Sequence, residues 1–228
     1  MIHRHFEEQL EQLKSRLVHM GTLSESMIEK AVRALLERGG ARHADVFAVE
    51  KQVNDLHIEI DERVINLIAL QHPVAADLRW AVMTSKIAGE LERIGDQAVN
   101  ICQYNEELCK HPPLKPMIDL PLMADVARRM LRESLDAFVR QDAVLAQKVL
   151  DTDDEVDAFK DQVFRELLTY MMADPATIAR ALNLILVSRS LERVGDHATN
   201  IAEEVIYAVQ GRDVRHHHET NRREIEPK

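Results

Sequence analysis

The segment Leu91-Glu92-Arg93-Ile94-Gly95-Asp96-Gln97-Ala98-Val99-Asn100 returns one hundred positions later as Leu191-Glu192-Arg193-Val194-Gly195-Asp196-His197-Ala198-Thr199-Asn200. Leu, Glu, Arg, Gly, Asp, Ala and Asn recur at matching positions. Such self-similarity predicts a chain built from two copies of one structural unit. Because the repeated residues include polar ones that a hydrophobic core does not require, the segment also marks a candidate functional site.

Apolar residues recur at spacings of three and four on both sides of this segment, which predicts an all-α fold of long amphipathic helices. The helices of the first unit are predicted at about 6–37, 44–70 and 73–110. Gly39-Gly40 is expected to end the first of them, and Pro73 to begin the third. In the second unit, helices are predicted at about 122–140 and 143–172, followed after Asp174-Pro175 by a last helix to about 210.

The segment His111-Pro112-Pro113-Leu114-Lys115-Pro116 is the one clear linker in the chain. It separates two stretches of similar helical pattern. We therefore predict two tandem three-helix bundles, at residues 1–111 and 117–216, and a polar tail at residues 217–228.

Charge and composition exclude several classes of protein. A formal net charge of −10 argues against binding to nucleic acid, which requires clustered Lys and Arg. The chain has no apolar run long enough to span a bilayer, and residues 1–6 lack the apolar core of a signal peptide. Cys102 and Cys109 stand roughly 10 Å apart along one predicted helix, too far for a mutual disulfide. A reduced, cytoplasmic protein is expected.

Acidic residues in the repeated segment are placed where they weaken a helix. Glu92, Asp96 and Asn100 lie four residues apart and line one edge of the predicted third helix, a pattern repeated by Glu192, Asp196 and Asn200. Like charges at this spacing destabilise a helix by about 0.2–0.5 kcal/mol, and an interior glycine costs about 1 kcal/mol relative to alanine. Their joint recurrence predicts close approach of another helix at the glycine and a ligand held by the carboxylates.

The second helix of each unit carries a matching polar face. These residues are Glu50 and Asn54 in the first unit and Asp153, Asp157 and Asp161 in the second. Oxygen-only side chains favour hard cations, so we predict a divalent or trivalent metal ion in each unit, chosen from iron, manganese, magnesium, calcium and zinc. The Glu-x-x-His pairs of ferritin-like di-iron bundles are absent, which disfavours that redox site.

Two other interpretations of the acidic residues remain open. They could form ordinary solvated faces in which Arg93 and Arg193 neutralise Asp96 and Asp196. Alternatively, bound metals could activate water in a metal-dependent phosphate-ester hydrolase. The sequence has no glycine-rich phosphate loop, nucleophile motif or Cys-His signature, so we predict no catalytic residues and a protein that is not an enzyme.

The paired Glu-Arg-(Ile/Val)-Gly-Asp segments resemble the signature of the PhoU family of phosphate-transport regulators. Other similar segments are Asp77-Leu78-Arg79 after His72-Pro73, Tyr170-Met171-Met172-Ala173-Asp174, and Asp213-Val214-Arg215-His216. The resemblance implies two three-helix bundles related by pseudo-twofold symmetry, with surface metal clusters at Glu92-Asp96 and Glu192-Asp196. It implies Asp153-Asp157 as a facing pair; the first unit departs from the pattern, because Glu50-Asn54 replaces one carboxylate by an amide.

The same resemblance implies a cytoplasmic regulator that represses phosphate-starvation signalling. Its partners would be the ATPase of the phosphate ABC transporter and a membrane sensor histidine kinase, with membrane contact only through these partners. A homodimer is also expected, partly because two thin three-helix layers leave large faces. On that argument Trp80, Phe138 and Tyr207 need not all be buried within one chain.

Overall fold

A computed structural model describes residues 2–39 and 43–214 of the protein, with side chains from residue 6 onward. Within these residues the chain forms long α helices and no strand, which confirms the predicted all-α fold. The helices are α1 Ile2–Glu37, α2 His43–Gln71, α3 Ala75–Cys109, α4 Asp119–Arg140, α5 Ala143–Ala173 and α6 Ile178–Gln210, with a 3-10 turn at Pro175–Thr177 before α6. The whole of the predicted tail, residues 217–228, lies outside the described residues, which end at 214.

The helices form two layers. In the first layer, α2, α3, α6 and α5 lie side by side in that order. In the second layer, α1 packs on α2 and α3, and α4 packs on α5 and α6. Within the second layer, α1 also contacts α4. The two units meet chiefly through α3 and α6. These two helices run antiparallel, because Lys86 and Glu90 on α3 contact Glu204 and His197 on α6.

One continuous hydrophobic core joins the two predicted units. Phe138 on α4 is fully buried, and its ring centroid lies 5.6 Å from that of Trp80 on α3. The core therefore crosses the boundary between the units, and the linker does not separate two independent cores. Trp80 and Phe138 are both buried within one chain, so they offer no surface for a dimer; Tyr207 is half-buried.

The end of α1 differs from the prediction. Arg38, and not Gly39, adopts the left-handed conformation, with φ of 52°, and the Gly39 N–H donates to the Ala34 carbonyl at 3.1 Å. Gly40 lies outside the described residues. The Arg38 guanidinium also donates to the Leu108 carbonyl at 2.8 Å, at the end of α3, where that carbonyl also accepts from the His111 N–H at 3.3 Å.

The start of α3 was also predicted incorrectly. The helix begins at Ala75, with Val74 in extended conformation before it, so Pro73 lies in the connection and not in the first turn. The preceding residue, His72, has φ of 47° and ends α2. This short connection makes α2 and α3 antiparallel neighbours, as the site below requires.

Candidate functional site

The first acidic cluster lies in the groove between α2 and α3. Glu92 and Asp96 on α3 face Glu50 on α2. Burial raises the pKa of Glu92, the charge of Asp96 raises it further, and Glu50 adds to this effect, while His57 and Arg93 oppose it. These three carboxylates thus act on one another electrostatically, and their role as one site stays a prediction.

The second acidic cluster lies in the equivalent groove between α5 and α6. Asp153 and Asp157 on α5 face Glu192 and Asp196 on α6. Asp196 is exposed at its surface, yet desolvation of its carboxyl group raises its pKa to about 6, and the charges of Glu192, Asp153 and Asp157 contribute in the same direction. Carboxylates that crowd one another in this way favour a cation among them.

A lysine that sequence reasoning missed supplies part of that positive charge. The Lys160 ammonium donates to Asp157 Oδ1 at 2.7 Å and to Glu192 Oε1 at 3.1 Å, so it joins α5 to α6. Burial disfavours the charged form of Lys160, but these hydrogen bonds outweigh burial and raise its pKa. The spacing of Lys160 three residues after Asp157 was the available signal.

The two repeated arginines do not neutralise the repeated aspartates. Arg93 donates to Glu90 at 3.0 Å, and in the described part of the chain no ion pair joins Arg193 to Asp196. The interpretation of the clusters as solvated faces predicted salt bridges from Arg93 to Asp96 and from Arg193 to Asp196, and these two pairs are wrong.

Asn100, Asn200 and Asp161 do not make the contacts that were predicted for them at the clusters. Asn100 donates to the side chain of Gln97 at 3.3 Å, and Asn200 donates across the unit boundary to Glu90 at 3.0 Å. Asp161 is exposed, as Asp96 and Asp196 also are, and its neighbour Lys160, not Asp161 itself, reaches Glu192. Asn54 remains half-buried on the stripe of α2 that carries Glu50.

A polar groove of about 470 Å³ lies between α2, α3 and α6, at the junction of the units. His197 contacts Glu90 at 2.7 Å, and Lys86 donates to Glu204 at 2.8 Å. Burial alone would raise the pKa of Glu90, but hydrogen bonds from His197 and Asn200 lower it. Sequence reasoning missed this network, although His197 departs from its repeat partner Gln97.

The repeated glycines lie under neighbouring helices, as predicted. A Cβ atom placed on Gly95 would lie 3.4 Å from Met27 Cε of α1, and one on Gly195 would lie 3.5 Å from Val156 of α5. These are van der Waals contacts, tight at Gly95 and ordinary at Gly195. The packing is therefore close at both positions, although it does not require glycine at Gly195.

Comparison with known proteins assigns the fold and its repeat to a family. A sequence model described as the PhoU domain matches the chain twice, at residues 17–104 and 120–205. The chain belongs to the PhoU family. The two matches correspond to the two halves of the internal repeat.

Named relatives span most of this PhoU chain. A phosphate-specific transport system accessory protein PhoU homolog of Pseudomonas putida is 42% identical over 94% of this chain and 84% of its own length. The Escherichia coli protein of that name is 36% identical over 92% of this chain and 88% of its own. The crystal structure of PhoU from Pseudomonas aeruginosa, at 40% identity, covers 91% of this chain and 100% of that chain with a TM-score of 0.87.

The carboxylates of both clusters offer the oxygen donors that a hard cation prefers, whereas Lys160 in the second cluster offers none. Burial, and after it repulsion from the neighbouring carboxylates, raises the pKa of Glu92 and of Asp196. Among the described residues, however, no three His, Cys, Asp or Glu side chains already stand in a geometry that could hold an ion. A cation would therefore have to draw the carboxylates together.

Cys102 is not a candidate nucleophile. Cys102 is fully buried, and burial raises the pKa of its thiol to about 12. Because the thiolate is the reactive form, this cysteine is inert near neutral pH. Within residues 2–39 and 43–214, moreover, no helix is both long enough and apolar enough to cross a bilayer.

We expect Asp196→Asn to make the metal-free protein more stable, and the gain to grow as pH rises. The folded pKa of Asp196, about 6, exceeds its ordinary value of 3.8, so the folded state holds this proton more tightly than the unfolded state does. Stability from protonated Asp196 is full below the ordinary value and is lost as pH rises through about 6. Denaturation of both proteins from about pH 5 to about pH 8, with chelator present, tests this; a stability difference that does not change with pH would contradict it.

Proposed function

We propose that this protein regulates phosphate transport as a non-enzymatic, cytoplasmic adaptor. It would repress phosphate-starvation signalling by linking the ATPase of the phosphate ABC transporter to a membrane sensor histidine kinase. Relatives that share at least a third of its sequence over most of its length are named as accessory proteins of the phosphate-specific transport system, which supports the transport role.

The observation that carries the adaptor role is an exposed apolar surface of the second unit that recurs in part in the first, where Asp61 takes the position of Phe164. In the second unit the surface comprises Phe164 and Leu168 on α5 and Ile178 and Leu182 on α6, each between 41% and 48% exposed. In the first unit it comprises Ile65, Leu78 and Val82, which are also exposed. Grouped apolar residues at a protein surface typically mark interaction sites.

Both surfaces lie at the same end of their unit, next to the short connection between the two antiparallel helices. Leu78 and Val82 correspond to Ile178 and Leu182 through the shift of one hundred positions. A chain that presents two related surfaces on a shared core can contact two proteins at once. This duplication supports an adaptor over a protein with a single ligand site.

We further infer that the acidic clusters bind hard cations, among iron, manganese, magnesium, calcium and zinc. The paired carboxylates of Glu92 and Asp96, and of Glu192 and Asp196, would supply most of the oxygen ligands. A bound cation would neutralise their repulsion and hold α2 to α3 and α5 to α6. We also infer a homodimer, and sedimentation that gives a monomer at micromolar concentration would count against it.

The adaptor role predicts derepression when the exposed surface of the second unit is charged. We expect a strain carrying Phe164→Glu and Leu182→Glu to express phosphate-starvation genes in high phosphate, as a strain lacking the gene does, because charged side chains disfavour an apolar interface. A promoter reporter measures this, with protein levels and helicity checked in parallel. Val144→Glu, at an 81% exposed position near the start of α5, is the matched control and should remain repressed.

Three results would contradict parts of this proposal. Continued repression in the deletion strain would remove the regulatory role. Derepression in the deletion strain but not in the double variant would show that this surface does not bind a partner. Metal-dependent hydrolysis of phosphate esters that disappears on replacing Glu92 and Asp96 by alanine would favour the hydrolase.

A further inference from the structure

The two acidic clusters differ at a pair of equivalent positions. When α2 is aligned with α5 by a shift of 103 positions, Asn54 corresponds to Asp157 and His57 corresponds to Lys160. The second unit thus carries a carboxylate and an ammonium where the first carries an amide and an imidazole. The two substitutions occur together, three residues apart on one helix.

In the second unit these two residues form part of the cluster. The Lys160 ammonium lies 2.7 Å from Asp157 Oδ1 and 3.1 Å from Glu192 Oε1, with its side chain 29% exposed. Asp196 interacts electrostatically with the same two carboxylates and with Asp153. Lys160 therefore occupies the groove in which a metal ion would have to meet the carboxylates of α5 and α6.

In the first unit the equivalent side chain is directed elsewhere. His57 Nε2 lies 3.5 Å from Asp61 of its own helix, and Asp61 also accepts a hydrogen bond of 2.5 Å from Ser85. Among the described residues no cationic side chain lies within ion-pair distance of Glu50, Glu92 or Asp96. Each cluster nevertheless has the same formal balance, because the extra carboxylate of the second is offset by its lysine.

We propose that Lys160 is a built-in counter-cation of the second cluster, which a divalent metal ion must displace before it can bind there. An incoming ion meets repulsion from the ammonium and must replace two charge-assisted hydrogen bonds. Among the described residues the first cluster holds no ammonium at ion-pair distance, and His57 and Arg93 act on Glu92 only from farther away. The two units would then differ in metal affinity although their motifs match, an inference that rests on the proposed cation binding.

The test measures Mn²⁺ binding to the full-length protein by isothermal titration calorimetry, after metal removal by chelator. Titrations at about pH 8 keep imidazole groups largely uncharged. Glu92→Ala with Asp96→Ala disables the first cluster, so the second is observed alone. In this background we expect Lys160→Gln to tighten Mn²⁺ binding by about tenfold or more, since one unit charge is removed at close range.

Two matched variants separate this effect from net charge and from side-chain size. Lys148→Gln removes the same charge from α5 at a lysine paired with Glu133, and should leave Mn²⁺ affinity unchanged. Lys160→Arg keeps the charge and should bind Mn²⁺ as weakly as the parent. Circular dichroism confirms that each variant folds.

Unchanged or undetectable Mn²⁺ binding in the Lys160→Gln variant overturns the inference, as does equal tightening by Lys148→Gln. The proposed cation binding is judged separately, by Mn²⁺ binding to the first cluster when Glu192 and Asp196 are replaced by alanine. In that background His57→Lys should weaken binding by about tenfold, because it adds the missing ammonium. No loss of affinity in His57→Lys counts against the inference.

Discussion

Phe138→Ala is expected to lower the free energy of unfolding by about 3–5 kcal/mol. Phe138 is fully buried on α4, and its ring packs against Trp80 on α3, so the substitution opens a cavity at the boundary between the units. Because both units share one hydrophobic core, the loss should affect the whole chain. Urea denaturation followed by circular dichroism measures it.

The control for this prediction is Phe164→Ala. Phe164 is 48% exposed on α5, so its truncation should cost less than about 1 kcal/mol. A similar decrease in the free energy of unfolding in both variants would show that the effect of Phe138→Ala does not come from burial of Phe138. Two separate unfolding transitions in the wild-type protein would contradict a shared core.

The second large effect is expected at the linker, where Lys115 is buried with its side chain only 4% exposed. Its ammonium donates to Asp119 at 3.1 Å and contacts Glu166 on α5. Burial disfavours the charge of Lys115, yet hydrogen bonds from it to Glu166 and Asp119 outweigh burial and raise its pKa. Asp119→Ala with Glu166→Ala should therefore cost about 3–5 kcal/mol, since a buried charge loses its partners.

Restoring stability without restoring the ion pair is the decisive control. Adding Lys115→Met to the double variant removes the unpaired charge and keeps an apolar stem of similar length, so most of the lost stability should return. Thermal and urea denaturation of the three proteins give the comparison. A double variant as stable as the wild type would show that water reaches Lys115 and solvates its charge.

Helix positions followed closely from the sequence because helical periodicity is a local property. The apolar spacing along α2 and α5 predicted both helices to within one residue at each end. The ends of elements were less predictable, as Arg38 and Pro73 show. Arg38 holds its left-handed conformation beside a carbonyl of α3, seventy residues away in the chain, and no local pattern carries that contact.

Prediction of the site was strongest where residues share one helix. Glu92 with Asp96, and Glu192 with Asp196, had to lie on one helical edge because a spacing of four residues places them there. The pairing between helices was less accurate. Asn200 donates a hydrogen bond to Glu90 of the other unit. At the second cluster, Lys160 and not Asp161 contacts Glu192.

By itself, the sequence determined that the chain repeats, that it is helical, and which carboxylates lie together on α3 and on α6. The tertiary structure alone decided that the units share one core, that Phe138 meets Trp80, and that Lys160 lies between Asp157 and Glu192. Periodicity specifies which side of a helix is buried, whereas contacts between helices depend on how far one slides and rotates against the next. That register is set by the packing of the whole core, so it cannot be read from any one segment.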